Sequence, residues 1–360
     1  MMLPSSLYRS ATAGALALFA AVASVSAATA CNNSPSLCSR NYNNITHMGA
    51  HGSSFLRDGT SSVAAAGNQF NNATVALNAG IRLLQAQVHV SSNVLRLCHT
   101  SCELLDAGTL EDWLVKIYDW MNQNPNEVVT LLLVNSDDAT ASEFGSVFNS
   151  SGISDLAYTP SSTQSPTSDW PTLTSMISSG GRLVNFITNI DASTDYAFLL
   201  PEFDYVFETA FEVATLDGFN CTLDRPSSAD SAASALSSGF LSLANHFKYQ
   251  SLSTTLSLYI PDVSNIEIVN SANTTEAGNL GLHLQDCKSE WGLIPNFVLV
   301  DLFEEGNVFT ALDRMNNISD ATGREKVASS ADDQSNASRG DKGMGPVALI
   351  AFVAAVIMLV

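Results

Sequence analysis

Two histidines stand in short polar turns, Gly49-Ala50-His51-Gly52-Ser53 and Leu97-Cys98-His99-Thr100, on either side of an apolar run over residues 80–88. An imidazole has an unperturbed pKa of roughly 6.5, so near neutral pH one copy can accept a proton while another donates one. A pair held on one site suits cleavage of a phosphodiester by an internal hydroxyl and needs no metal. The glycines and serines beside His51 let the backbone turn and leave the ring accessible, while His99 is held between Cys98 and Cys102. For such chemistry the two turns must lie just past the ends of neighbouring strands.

The elements that would bring them together are written in apolar runs over residues 44–48, 80–88, 94–97, 128–134, 182–188, 205–208 and 297–303. Several are continuous rather than alternating, as parallel strands buried on both faces require. Thr109-Leu110-Glu111-Asp112 opens a helical pattern through Trp113, Ile117, Tyr118 and Met121 that stops at Asn124-Pro125. Further helical patterns cover 142–148, 228–244, 274–291 and 307–315. This alternation predicts an α/β chain, either a (β/α) TIM-type barrel of regular or irregular form or a doubly wound sheet. In a barrel, polar exits such as Asn135-Ser136-Asp137-Asp138 become βα loops, where barrel chemistry sits.

Both ends of the chain carry processing patterns. Arg9, a small apolar stretch over 11–25 and Ala28-Thr29-Ala30 predict a signal peptide over residues 1–30. Residues 346–360 are uncharged and apolar, behind a polar spacer (339–345) and the small residues Asn336-Ala337-Ser338. That is the pattern of a GPI-attachment signal, with Asn336 or Ser338 as the attachment residue. The alternative, a single tail span, would need ~20 apolar residues, more than this run offers. The expected organisation is a barrel domain over 31–318, a Ser/Asn-rich stalk over 319–338, and a propeptide over 339–360 that is removed. The mature protein would then be secreted and held by a GPI anchor at the outer face of the plasma membrane or the cell wall.

Asn-x-Ser/Thr sequons beginning at Asn32, Asn44, Asn72, Asn149, Asn220, Asn273, Asn317 and Asn336 agree with a secretory route. So do six cysteines, an even number that an oxidising compartment would pair. Proximity favours Cys31–Cys38 and Cys98–Cys102, leaving Cys221–Cys287. A metal site on Cys98, His99 and Cys102 is the competing reading, weakened by the want of a second Cys/His pair at finger-like spacing. With 15 basic and 35 acidic residues the formal net charge is −20, which argues against binding nucleic acid or adhering to anionic membranes. A hydrophobic content of 46% fits a globular domain with a large core.

The order of four blocks resembles the catalytic X region of phosphatidylinositol-specific phospholipase C, in its metal-independent bacterial-like form and secreted fungal relatives. The blocks are Ile45-Thr46-His47-Met48-Gly49-Ala50-His51-Gly52-Ser53, Gly80-Ile81-Arg82-Leu83-Leu84-Gln85-Ala86-Gln87, Leu95-Arg96-Leu97-Cys98-His99, and Asn122-Gln123-Asn124-Pro125-Asn126-Glu127-Val128-Val129 with the apolar run behind it. The likeness is clear over residues 40–135 and weaker at Phe207-Glu208-Thr209-Ala210 and Phe297-Val298-Leu299-Val300-Asp301. The resemblance implies an irregular (β/α) barrel that cleaves a phosphodiester lipid or inositol-phosphate-type substrate. It implies His51 as the base that takes the inositol 2-hydroxyl proton and His99 as the acid that protonates the departing diacylglycerol oxygen. Asp301 would be the carboxylate that orients His51. No cofactor and no metal are implied.

The departures are specific. The position after the first histidine is usually acidic in the bacterial pattern and is Gly52 here; the usual Asp-x-Arg is Gln85-Ala86-Gln87. Gly52, Gln85 and Gln87 also leave no carboxylate cluster for calcium. If a cation stabilises the phosphorane it must come from elsewhere, with Arg57, Arg82 and Arg225 as candidates. Gln85, Gln87, Glu208 and Arg225 are the expected substrate contacts. His47 and His89 read as packed or rim residues, and His246 and His283 show no partner. The expected activity is phosphoric diester hydrolysis of the phospholipase C type. The alternative is a degenerate barrel that binds a polyol, glycan or lipid head group. A glycoside hydrolase would need two facing carboxylates, for which Glu208 and Asp301 are the candidates.

Overall fold

The computed structural model describes residues 29–57, 66–161, 165–253 and 258–329. In chain order its strands are β1 (His47–Ala50), β2 (Leu83–Ser91), β3 (Val94–Cys98), β4 (Asp106–Thr109), β5 (Val129–Asn135), β6 (Leu183–Ile187), β7 (Leu199–Pro201), β8 (Val206–Thr209), β9 (Leu223–Arg225), β10 (Leu241–Asn245), β11 (Tyr249–Ser253), β12 (Leu258–Pro261) and β13 (Phe297–Val300). The strands β1, β2, β5, β6, β7, β8, β10 and β13 stand in that cyclic order, and each pairs in parallel with the next except at β7 and β8. This is the expected (β/α) barrel, in an irregular form. Its seam has a cause: only the short helix Glu202–Tyr205 joins β7 to β8, whereas neighbouring parallel strands need a crossover of a dozen or more residues.

Period-two alternation divides each strand between two cores. Leu83, Leu132, Phe186, Leu243, Phe297 and Leu299 fill the barrel interior. Met48, Ala50, Leu84, Leu131 and Val298 belong to the outer core between strands and helices, to which the helix Leu110–Gln123 contributes Trp113, Leu114 and Ile117. That helix starts where Thr109 accepts a hydrogen bond from the Asp112 N–H. The same parity sends Gln85, Gln87, Glu208 and Asn245 inward, and at the C-terminal ends of the strands these polar side chains replace apolar filling.

The chain departs from the sequence reading in several elements. The helical pattern over 228–244 divides into a helix, Ala232–Ser237, and the strand β10, with Gly239 at φ +95° between them. The helix expected over 274–291 begins only at Leu280 and ends at Trp291. β3 runs antiparallel to β2 in a hairpin that overhangs the rim, and β4 continues it. β11 and β12 form a separate antiparallel pair beside the barrel mouth.

The three cystines are Cys31–Cys38, Cys98–Cys102 and Cys221–Cys287, as chain proximity suggested. Cys98 and Cys102 thus have no thiolate to offer a metal. The group Cys221, His283 and Cys287 is excluded likewise, since its two sulfurs are bonded to each other. The first part of the segment read as a stalk lies along the barrel as a strap. Asp320 accepts from the hydroxyls of Ser34 and Ser36, Thr322 N donates to Asn33 O (2.7 Å), and Arg324 pairs with Asp313 (2.7 Å). Glu325 N then donates to Asn78 O (2.9 Å), and the Ser329 hydroxyl donates to Glu305. Asn32 is a buried sequon whose Oδ1 accepts from Val128 N at 2.7 Å; Asn44, Asn72, Asn149, Asn220, Asn273 and Asn317 are exposed. The signal peptide but for its last two residues, the attachment signal and the Asn336 sequon lie outside the described residues. No helix among the described residues is long and apolar enough to cross a membrane.

Candidate active site

His51 follows the last residue of β1, and its backbone N–H continues the ladder to Val300 O of β13 (2.9 Å). Asp301, one residue beyond β13, therefore meets it side by side: His51 Nδ1 lies 2.8 Å from Asp301 Oδ1. A carboxylate only accepts, so the proton sits on Nδ1 and leaves Nε2 as the basic nitrogen. Asn68 Nδ2 donates to the same Asp301 oxygen at 3.1 Å. Gln69 Nε2 ties His51 O (2.7 Å) to Val300 O (3.0 Å). The imidazole lies flat on the Phe247 ring, centroids 3.7 Å apart and planes 2° apart.

His99 arrives by a different route. β2 overshoots the rim, β3 folds back along it in the register Val88↔Leu97, and the Cys98–Cys102 loop closes the turn. The hairpin thus returns His99 to the level of Gln87, where Thr100 N donates to Gln87 Oε1 at 2.8 Å. His99 packs against Phe55, and its Nδ1 is buried without a hydrogen-bond partner among the described residues. Burial, and then the nearby His51, push its pKa down to about 4.

A cleft of about 340 Å³ at the C-terminal ends of the strands gathers His51, His99, Gln85, Gln87, Glu208 and Arg225. Asp301 stands behind His51 and does not line it. The two glutamines are held alike. Gln85 Oε1 accepts from Gly52 N at 2.6 Å, and Gln87 Oε1 accepts from Thr100 N. Each accepting bond comes from the amide directly after one histidine, and among the described residues no partner is bonded to the glutamine's Nε2, which can donate to a ligand in the cleft.

Arg225 makes two hydrogen bonds to Glu208 (3.0 and 2.9 Å) and stacks on Phe211 (4.5 Å). Asn245 Nδ2 adds a third bond to Glu208 (2.8 Å). Behind them Glu202 is fully buried, and burial, then the Glu208 charge, raise its pKa well above the usual carboxylate range. Among the described residues that line the cleft, Arg225 is the cation, and Glu208 opposes its charge.

Two sequence candidates are placed elsewhere. Arg82 lies at the opposite, N-terminal end of β2, bonded to Leu77 O, Ile81 O and Asn33 (2.7 Å each) and paired with Glu127. It precedes the strand whose far end carries the cleft, so it cannot act there. Arg57 is half-buried and within electrostatic reach of Asp301, but it does not line the cleft. The facing carboxylates of a glycosidase are also missing, because Asp301 is turned to His51 and Glu208 to Arg225.

The other histidines are structural. His47 is buried at the barrel floor near Tyr42 O (3.1 Å), and burial lowers its pKa to about 4. His89 pairs with Asp137 on the rim (3.3 Å). His246 and His283, which showed no partner in the sequence, are each other's: their Nδ1 atoms are 2.9 Å apart. Asn68, Gln69, Asn245 and Phe247 carried no sequence signal, since each sits in a short aperiodic connection or at a strand end.

The glycine after His51 is dictated by Asn68. Gly52 has φ +53°, and a Cβ there would stand 2.3 Å from Asn68 Oδ1. Any side chain at residue 52, including the acidic one usual in the bacterial pattern, would displace Asn68 from Asp301. Gly52→Ala is expected to cost about 1–3 kcal/mol of stability, read as a lowered unfolding midpoint in urea; a midpoint equal to the unsubstituted protein would contradict this packing.

Comparison with known proteins follows the same lines. The PI-PLC X 1 family profile matches residues 37–316. An uncharacterized secreted protein of Arthroderma benhamiae is 36% identical over 293 residues, covering 80% of this chain and 64% of that protein. A PI-PLC X domain-containing protein 1 from the same fungus is 35% identical over 290 residues, covering 80% of this chain and 90% of its own. The chain thus spans slightly less than two thirds of the first relative and nine tenths of the second. In fold it is similar to the phosphatidylinositol-specific phospholipase C of Listeria monocytogenes, with a TM-score of 0.50 at 14% identity over 78% of this chain and 96% of that one.

Proposed function

The chain belongs to the PI-PLC X-domain family, a family of phospholipase C-like phosphodiesterases, and from that premise we propose that it is a phosphoric diester hydrolase acting by two histidines. The substrate is a phosphodiester whose alcohol carries a hydroxyl next to the ester oxygen, as in a phosphoinositide. His51 Nε2 takes the proton of that hydroxyl, whose oxygen then attacks phosphorus. His99 gives a proton to the departing alkoxide, and a cyclic phosphodiester is left. The observation that carries this reading is the 2.8 Å contact of Asp301 with His51 Nδ1 in a cleft that also holds His99. It fixes the tautomer of the base and stabilises the imidazolium formed in the transition state. The Nε2 groups of Gln85 and Gln87 donate to the phosphoryl oxygens, and Glu208 with Arg225 receives the polyol. The secretory ends of the sequence favour action outside the cell, as a protein of residues 31–338 tethered by a GPI anchor.

His99 sets a condition. A group held near pKa 4 is neutral at neutral pH, so it becomes a general acid only when an anion enters beside it and favours its charged form. Purified protein incubated with phosphatidylinositol vesicles is expected to release a cyclic inositol phosphate, with chelator making no difference. In parallel, the NMR titration of His99 is expected near pH 4 in the free protein and higher with inorganic phosphate present. No turnover of any phosphodiester, together with a His99 midpoint that phosphate leaves unmoved, favours the barrel as a binding protein. Turnover that stops with chelator overturns the two-histidine mechanism.

A further inference from the structure

We propose that Phe247 is a positioning residue for His51, whose ring face holds the imidazole flat and favours the imidazolium over the neutral form. The idea rests on the acid–base role given to His51 above, but its support is the geometry of the stack. Two neutral aromatic rings prefer offset or edge-on contacts with centroids 4.5–7 Å apart. His51 and Phe247 instead lie face to face, with centroids 3.7 Å apart and planes 2° apart. That arrangement suits a cation over the negative face of a benzene ring. It gains when His51 accepts the hydroxyl proton, so it stabilises the transition state more than the resting site.

Phe247 cannot turn away from this role. It is 2% exposed, and the residue before it is fixed twice: His246 N donates to Leu299 O at 2.9 Å, and its ring is bonded to His283. Tyr249 stands edge-on to His51 at 6.5 Å and to Phe247 at 5.7 Å, closing the far side. The charged and titratable groups around His51 are Asp301 on its Nδ1, Arg57 within reach of Asp301, His99 beside it and Tyr249. None of them occupies the ring face that Phe247 covers.

Phe247→Leu and Phe247→Met keep an apolar filling without the aromatic face, and Phe247→Tyr keeps the face. In the first two, the NMR titration midpoint of His51 is expected to fall by about half a pH unit. In Phe247→Tyr it stays at the parent value. On a phosphodiester substrate, kcat falls about fivefold in Leu and Met with KM unchanged, and Tyr restores it. A midpoint equal in all four proteins overturns the proposal, as does a Tyr variant that shifts as far as Leu. The titration needs no turnover. An inactive parent protein would therefore count against the phosphodiesterase reading while the midpoints still decide the role of Phe247.

Discussion

His51→Ala and His99→Ala will each slow phosphodiester cleavage by about 10²–10⁴-fold, the usual range for a positioned proton-transfer group. The two losses will not multiply, because attack and departure belong to one concerted displacement; the double variant should fall little below the weaker single one. The arrangement makes the roles unequal in a second respect. His51 is backed by Asp301 at 2.8 Å, and Asn68 holds that carboxylate. Asp301→Asn keeps the shape but removes the charge that supports the imidazolium, and the new amide can offer Nδ1 a donor instead of an acceptor. It should therefore approach the loss seen for His51→Ala. His99 has no such backing among the described residues, where its Nδ1 finds no hydrogen-bond partner. Steady-state rates with phosphatidylinositol, beside an unfolding midpoint for each variant, check these expectations. Half the parental rate in either folded alanine variant would remove that histidine from the chemistry.

The next largest effect is expected at the glutamines. Gln85→Glu and Gln87→Glu leave an oxygen to accept from Gly52 N and Thr100 N, so the bonds that order the two histidine turns survive. What changes is the other end of each side chain, where a donor becomes an anionic acceptor facing the phosphoryl oxygens. Removing one donor of this kind typically costs 10²–10³-fold in kcat. The repulsion between carboxylate and phosphodiester adds a rise in KM. The opposite substitution is informative too. Gln87→Arg brings a charge to a cleft whose described cation, Arg225, is already opposed by Glu208, and it should raise the rate while breaking the Thr100 bond. An unchanged rate in both Glu variants would show that the carboxamides do not touch the phosphoryl group.

Much of the barrel could be seen in the sequence because its inner strands are continuous apolar runs, as at Val129–Asn135 and Phe297–Val300. β10 was hidden: Leu-Ser-Leu-Ala follows a helical pattern directly, and a run this short has no periodicity of its own to separate strand from helix. β7 and β9, with three residues each, and the β11–β12 pair fall below any pattern. Of the candidate site, the residues on or just beyond strand ends were visible, because period-two parity and order place them. His51 and His99 belong to that group, whereas Asp301 and the two glutamines were singled out through the resemblance of their blocks to the phospholipase C family. Arg82 was misjudged because a residue just before a strand and one just after it look alike in sequence, though they lie at opposite ends of the barrel. Phe247 and Asn68 were invisible because a stack and a lateral hydrogen bond depend on backbone turns that composition does not encode.

The strap over residues 320–329 has a mechanical consequence. It is bonded in series to Ser34 and Ser36, to Asn33, to Asp313, to Asn78 and finally to Glu305. Any tension entering the chain from beyond residue 329 meets the Ser329–Glu305 contact first and peels the others in turn. While these bonds hold, the load is shared among Glu305, the helix Ala73–Ala79 through Asn78, the helix Val308–Asn316 through Asp313, and the segment at Asn33, Ser34 and Ser36. The strap therefore spreads a pull on the C-terminal segment over several separate anchors, instead of delivering it along the chain alone to the helix that follows β13 and Asp301.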